Sequence, residues 1–164
     1  LVAGCLLLGA CCGLISDFNT FARQIHIMKK LYYILGTLQA ITAIGAIPAG
    51  IGYLMDTSGQ GMGTSTELLA NSPLKSFLLP GLFLLFVNGL AHIGGSVLSF
   101  TRHRFAGYAG LILGVLLSLW IIVQVAWISL TSFLQPLFFI IGLINTLISF
   151  KIIKTDKKVT TQMT

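Results

Sequence analysis

The chain of 164 residues is 55% hydrophobic and only 9% charged. Soluble domains carry about 25% charged residues, so this composition excludes an ordinary soluble domain and indicates an integral membrane protein. The formal net charge of +6 comes from basic residues that lie mainly at the ends of apolar runs, and this scatter argues against a nucleic-acid partner.

The amino-terminal segment, residues 1–27, has two interpretations. Met28-Lys29-Lys30 directly precedes a long apolar run, which is typical of a bacterial start with its amino end in the cytoplasm. On that interpretation residues 1–27 do not belong to the native chain. The alternative is that residues 1–16 are native and form a signal-peptide core or a short extra helix, because they fall just under the usual spanning length.

The first predicted transmembrane helix covers residues 31–55 and contains Pro48, which should bend it because proline removes a backbone hydrogen bond. Residues 56–75 are rich in Gly, Ser and Thr and predict a loop outside the bilayer. Thr64 precedes Glu67 by three positions, a capping-box pattern that predicts a short surface helix. A plain turn is the alternative.

The second predicted helix, residues 76–100, has no charged residue and exceeds the roughly 20 residues that cross a bilayer. Helical spacing divides it into two faces. The face expected to meet lipid carries Phe83, Phe86, Leu90, Ile93, Val97 and Phe100. The face expected to meet protein carries Gly81, Asn88, His92, Gly95, Ser96 and Ser99.

Two further spans follow, at residues 105–130 and 133–153. The polar link at 101–104 is so short that the helices it joins must be antiparallel neighbours. Four spans use the whole length of residues 28–158. The sequence therefore predicts an all-α polytopic membrane protein, an antiparallel bundle of four transmembrane helices.

Small residues recur where these helices should touch. Gly110 and Gly114 form a GxxxG pair, which lets another backbone approach closely. The glycines expected at helix contacts are Gly81, Gly95, Gly110, Gly114 and Gly142.

Basic residues predict the orientation. One side of the expected bundle carries Lys29, Lys30, Arg102, Arg104, Lys151, Lys154, Lys157 and Lys158. The opposite side carries Lys75. The positive-inside rule then places both ends of residues 28–164 in the cytoplasm, with the chain spanning the inner (plasma) membrane. Residues 159–164 are expected to be a flexible cytoplasmic tail.

Polar side chains inside the spans are the candidate functional residues. Five of them should lie at comparable depths: Gln39, Thr42, Asn88, His92 and Asn145. One interpretation is a buried site for a ligand, a proton or a lipid headgroup, because polar groups in a bilayer are costly. The other is hydrogen bonding between helices, with a neutral His92 bonded to Asn88 or Gln39.

Gln124 is a further candidate because it lies between Trp120 and Trp127 on one helix face. The two indoles and the amide would form an aromatic slot for a ligand. Alternatively, Trp127 anchors the helix at the membrane interface and Trp120 packs against a neighbouring helix.

Several kinds of chemistry have no support in the sequence. No carboxylate lies within a span, so paired-carboxylate catalysis in the membrane is excluded. The histidines are dispersed, and the three cysteines all lie within the first twelve residues, so no metal site is expected. Nucleophile, phosphate-loop and dinucleotide motifs are absent. We expect no catalytic residues and no cofactor.

A resemblance to known proteins rests on five short segments: Met28-Lys29-Lys30, Pro80-Gly81, Asn88-Gly89, Trp120 to Gln124 and Leu134-Gln135-Pro136. With this pattern the chain resembles the small uncharacterised four-helix membrane proteins of bacteria, and its layout is distantly similar to DoxX-like proteins. The resemblance implies a four-helix bundle and no particular site residues. We expect an accessory or interaction subunit whose partners are membrane lipids, a second copy or another membrane protein. The alternative is a bundle that handles a ligand, lipid or proton as a transporter component.

Overall fold

The structure is a computed structural model that describes residues 23–70, 72–130 and 132–157 in full and only the backbone of residues 2–22 and 158–163. The side chains of the amino-terminal segment, as far as residue 22, and of the flexible tail expected at 159–164 lie outside the described residues, and what was expected of both stays a prediction.

Four long helices dominate the fold, and we number them 1 to 4. Their bounds are Val2–Met55, Leu78–Phe100, Ala106–Ile128 and Leu134–Met163. Within the described ranges, each of the four contains a stretch long and apolar enough to cross a membrane. The prediction of an all-α, four-helix membrane protein is confirmed. Helix 4 continues past the expected end at residue 153, as far as Met163.

The helices pack in the order 1, 2, 3, 4 around the bundle, with helix 4 returning to helix 1. Neighbours are antiparallel. Tyr53 near the end of helix 1 stacks on Phe77 just before helix 2, and Phe100 at the end of helix 2 lies against Gly36 near the start of the described part of helix 1. We call the end with most Lys and Arg residues the basic end, and the opposite end, with the 56–77 segment, the loop end.

Helix 2 contains an unexpected feature: residues Leu84–Leu90 form a π-helix between two α-helical segments. The Ala91 N–H donates to the carbonyl of Phe86, five residues earlier. Such widened turns occur mostly as single bulges and often at functional sites.

The two predicted faces of helix 2 are confirmed by burial, with one exception. All six residues of the protein face are buried, and five of the lipid face are exposed. Phe83 is the exception because it is half-buried and stacks on Trp120 of helix 3.

Glycines lie at the closest helix crossings. A methyl group added to Gly114 would lie 2.9 Å from the Gly142 carbonyl oxygen, so helices 3 and 4 meet backbone to backbone. Gly81 of helix 2 lies against Gly50 of helix 1, which the sequence analysis did not single out. Gly95 lies against Gln39 and Leu113, whereas Gly110 lies against Leu35 and Ser149.

The basic end is closed by apolar side chains. Leu35, Ala106 and Ile152 are fully buried and pack together there with Tyr32. The Tyr32 hydroxyl donates a 2.9 Å hydrogen bond to Asp156, which links helix 1 to helix 4.

The 56–77 segment folds against the loop end. Asp56 accepts hydrogen bonds from the Ser58 hydroxyl (2.6 Å) and the Gly61 N–H (2.7 Å). Gly59 has a φ of 82°, which side-chain-bearing residues rarely adopt. The predicted short helix is present as one 3₁₀ turn at Thr66–Leu69, but the capping box is wrong, because Ser65 is the N-cap and the Thr64 hydroxyl donates to the Gly59 carbonyl.

Candidate functional site

A cavity of about 320 Å³ lies inside the half of the bundle nearest the loop end. All four helices contribute to its wall. Helix 1 makes room for it with three small residues, Gly45, Ala46 and Ala49. Apolar side chains cover most of the remaining wall: Leu84, Leu117, Ile121, Ile128, Leu134 and Phe138. Its volume is within the range of small-molecule sites in proteins.

The loop end contributes residues of the 56–77 segment and of the start of helix 4 to the cavity wall. Met62 and Thr64 come from the segment, and Ser132 and Gln135 lie at the start of helix 4. The folded segment is therefore part of the site, because Asp56 and Gly59 hold Met62 and Thr64 beside the cavity.

The inner part of the cavity is polar at three positions. Asn88 of helix 2 is 1% exposed and lines the cavity, and among the described residues neither its amide oxygen nor its amide nitrogen has a hydrogen-bond partner. Thr42 of helix 1 also lines it and donates its hydroxyl hydrogen to the Leu38 carbonyl at 3.0 Å. A buried amide without partners is costly, so Asn88 marks a place where a polar guest would be stabilised.

Trp120 supplies the third polar group. Its ring stacks on Phe83, with centroids 4.3 Å apart and an angle of 20° between the planes. The indole nitrogen is buried and has no acceptor among the described residues. Gln124 lines the same cavity one turn further along helix 3. Trp127 lies outside it, beside a smaller cleft that Trp120 and Gln124 also line.

Three of the sequence candidates lie deeper and do not line the cavity. Gln39, His92 and Asn145 are fully buried. Leu35 of helix 1 and Ser149 of helix 4 both lie against Gly110, so they are equally far from the basic end. Gln39 and Asn145 lie one helical turn further from that end on the same two helices, so they are at the same depth as each other. The cluster of five thus divides: Thr42 and Asn88 face the cavity, and the other three form a buried polar layer toward the basic end.

His92 does not make the hydrogen bond that we expected. Its Nδ1 lies 3.0 Å from the Val87 carbonyl oxygen, which only accepts, so Nδ1 carries the hydrogen. In the neutral ring Nε2 is then an acceptor, and it has no partner among the described residues. The expected bond to Asn88 or Gln39 is wrong because the π-helix brings the Val87 carbonyl within reach.

Two serines of helix 2 donate hydrogen bonds to helix 1. The Ser96 hydroxyl donates to the Gly36 carbonyl at 2.9 Å, and the Ser99 hydroxyl donates to Gln39 Oε1 at 3.0 Å. Both serines were assigned to the protein face of helix 2 but not proposed as the linking groups. Their small size at a close crossing was the available signal.

The cavity carries no formal charge. None of its lining residues is Asp, Glu, Lys, Arg or His. Asp56 lies in the 56–77 segment and does not line the cavity, and the Ser58 hydroxyl and the Gly61 N–H hold the pKa of its carboxyl below the usual value. In the part of the chain that the structure describes, His, Cys, Asp and Glu side chains form no group of three that would suit a metal ion.

These features define a multi-pass, all-α membrane protein with an internal cavity that is apolar along its wall and polar at its inner part. Comparison with known proteins finds no matching protein family, no similar curated protein and no similar solved structure. The resemblance to DoxX-like proteins stays a prediction.

Proposed function

We propose that this protein binds a small, largely hydrophobic molecule within the membrane. The observation that carries this proposal is the partly open 320 Å³ cavity, which lies between the four helices and is bordered by the 56–77 segment. A bundle whose only role is to pack against a partner needs no such space, since membrane helices are stabilised by close contact.

The proposal prefers the ligand-handling alternative to an accessory subunit. We also propose that the basic end lies in the cytoplasm, because Lys and Arg concentrate there. The cavity would then be nearest the outer face of the membrane. Membrane lipids are the expected surroundings of the bundle, and a second copy or another membrane protein remains the expected partner on its lipid-facing surface.

A substitution that fills the cavity tests the proposal. Ala49 lines the cavity, so Ala49→Phe places a ring inside it. Ala126→Phe is the matched control, because Ala126 is exposed on helix 3. Native mass spectrometry of protein extracted from its own membranes in mild detergent should show a small-molecule adduct on the wild type and on Ala126→Phe, and none on Ala49→Phe. An adduct that persists on Ala49→Phe would contradict binding in the cavity.

A further inference from the structure

The unpartnered polar atoms of the cavity belong to a complementary set. Asn88 offers a donor at Nδ2 and an acceptor at Oδ1, and Trp120 offers a donor at Nε1. Both residues line the cavity, and Asn88 is almost completely buried. A guest that satisfies all three atoms must itself present acceptors and at least one donor.

These groups lie at similar depths. At a rise of about 1.5 Å per residue, Asn88 lies about 15 Å and Trp120 about 12 Å from the loop ends of their helices, Leu78 and Ile128. The polar end of a guest would therefore lie well inside the membrane. Toward the loop end the cavity wall is formed mainly by side chains such as Ile121, Leu134 and Phe138, which suit the apolar part of a guest.

The absence of charged side chains from the cavity wall limits the guest further. Since no Asp, Glu, Lys, Arg or His side chain lines the cavity, a carboxylate or an ammonium group would enter it without a counter-ion. Ions are strongly disfavoured in such surroundings, so the polar end of the guest must be neutral.

We propose that the guest is a neutral amphiphile whose head carries both a donor and an acceptor, as a primary carboxamide does, and that this head lies between Asn88 and Trp120 with the apolar part toward the loop end. This inference rests on the proposed function and names the chemistry of its guest. A plain acyl chain is the competing occupant. It would fill the apolar wall and leave the polar atoms of Asn88 and Trp120 without partners.

Four probes with one common chain test the inference: decanamide, decanoate, decylammonium and decane. Each is added to the purified full-length protein in detergent, and the retained fraction is measured by native mass spectrometry against the Ala49→Phe variant. We expect the wild type to retain decanamide about tenfold more than any of the other three, the selectivity that roughly one net hydrogen bond supplies.

Two variants test the residues. Asn88→Leu should lower retention of decanamide to the level of decane while decane itself is still retained, because the cavity stays open and loses only its amide. Trp120→Phe keeps an aromatic ring on Phe83 and removes one donor, so decanamide retention should fall severalfold. This second variant keeps the inference testable if Asn88→Leu does not fold.

The outcomes separate the two proposals. If no probe is retained above the level of Ala49→Phe, the proposed function fails. If the probes are retained equally, if a charged probe is preferred, or if both Asn88→Leu and Trp120→Phe keep the wild-type ranking, the cavity binds hydrophobic molecules but the inference about the neutral head fails.

Discussion

Phe83 of helix 2 stacks on Trp120 of helix 3, with ring centroids 4.3 Å apart. This contact joins the two helices beside the cavity and fixes the plane of the indole that lines it. Because Phe83 is also half-buried, the stack holds helix 2 in position at the entry to the π-helical turn.

Replacing Phe83 with Leu should lower the free energy of unfolding by about 1 kcal/mol, the usual worth of an aromatic pair beyond its buried area. Unfolding in mixed micelles of increasing SDS content measures the change. Phe86→Leu is the matched control because Phe86 lies on the lipid-facing side of the same helix. Equal losses in the two variants would contradict a stabilising role for the stack.

Gly114→Ala should destabilise the bundle by about 1 to 3 kcal/mol, because overpacking at a tight contact forces backbones apart. The added methyl group would lie 2.9 Å from the Gly142 carbonyl oxygen and 2.8 Å from the Thr146 backbone nitrogen. Gly94→Ala is the control, since a methyl group at Gly94 meets no atom within 4 Å. If chemical unfolding shows a larger loss of stability for Gly94→Ala than for Gly114→Ala, the close crossing of helices 3 and 4 is contradicted.

The folded conformation of the 56–77 segment should depend on pH, because the Asp56 carboxylate accepts hydrogen bonds within it. Hydrogen bonds from the Ser58 hydroxyl and the Gly61 N–H hold the pKa of this carboxyl below its usual value. A carboxyl with a lowered folded pKa contributes stability above its unfolded pKa of about 3.9, and that contribution is lost as the pH falls through the folded pKa.

Amide hydrogen exchange of Ser58 and Gly61 measures this effect. Protection should be constant near neutral pH and decrease as acidification protonates Asp56, after correction for the intrinsic exchange rate. Asp56→Ala should show low protection at every pH. Unchanged protection in Asp56→Ala would exclude the carboxylate as the group that orders the segment.

Asn145→Leu should leave the bundle as stable as the wild type or raise its free energy of unfolding by up to about 2 kcal/mol, because it removes a buried amide with no partner among the described residues. Asn145 does not line the cavity, so binding should not change. SDS unfolding and probe retention check both expectations. A loss of several kcal/mol would mean that Asn145 makes an essential polar interaction.

The four spans were predictable from sequence because uncharged stretches of spanning length must fold as helices in lipid. The protein face of helix 2 was predictable for the same reason, since Asn88, His92 and Ser99 must turn away from acyl chains. Phe83 was misplaced because helical spacing cannot show that its ring stacks on Trp120 of a distant helix. The π-helix at Leu84–Leu90 was also not predicted from the sequence.

The candidate site was predictable only in part. Polarity identified Thr42, Asn88 and Gln124, which line the cavity, and equally Gln39, His92 and Asn145, which do not. Depth along the helices was compared for five of these residues, Gln124 excepted, and all five are buried. The cavity itself depends on small side chains of helix 1 opposite large ones of helix 4, and the packing of distant segments decides whether such a gap is filled.

Tryptophan fluorescence quenching tests the central claim most directly. Trp127→Phe leaves Trp120 as the single tryptophan, and this protein is titrated with decanamide brominated either at the second carbon, beside the head, or at the terminal carbon. The account predicts saturable quenching that is stronger for bromine beside the head and absent when Ala49→Phe is added. Equal quenching by both probes, stronger quenching by the terminal bromine, or quenching that persists with the cavity filled would contradict it.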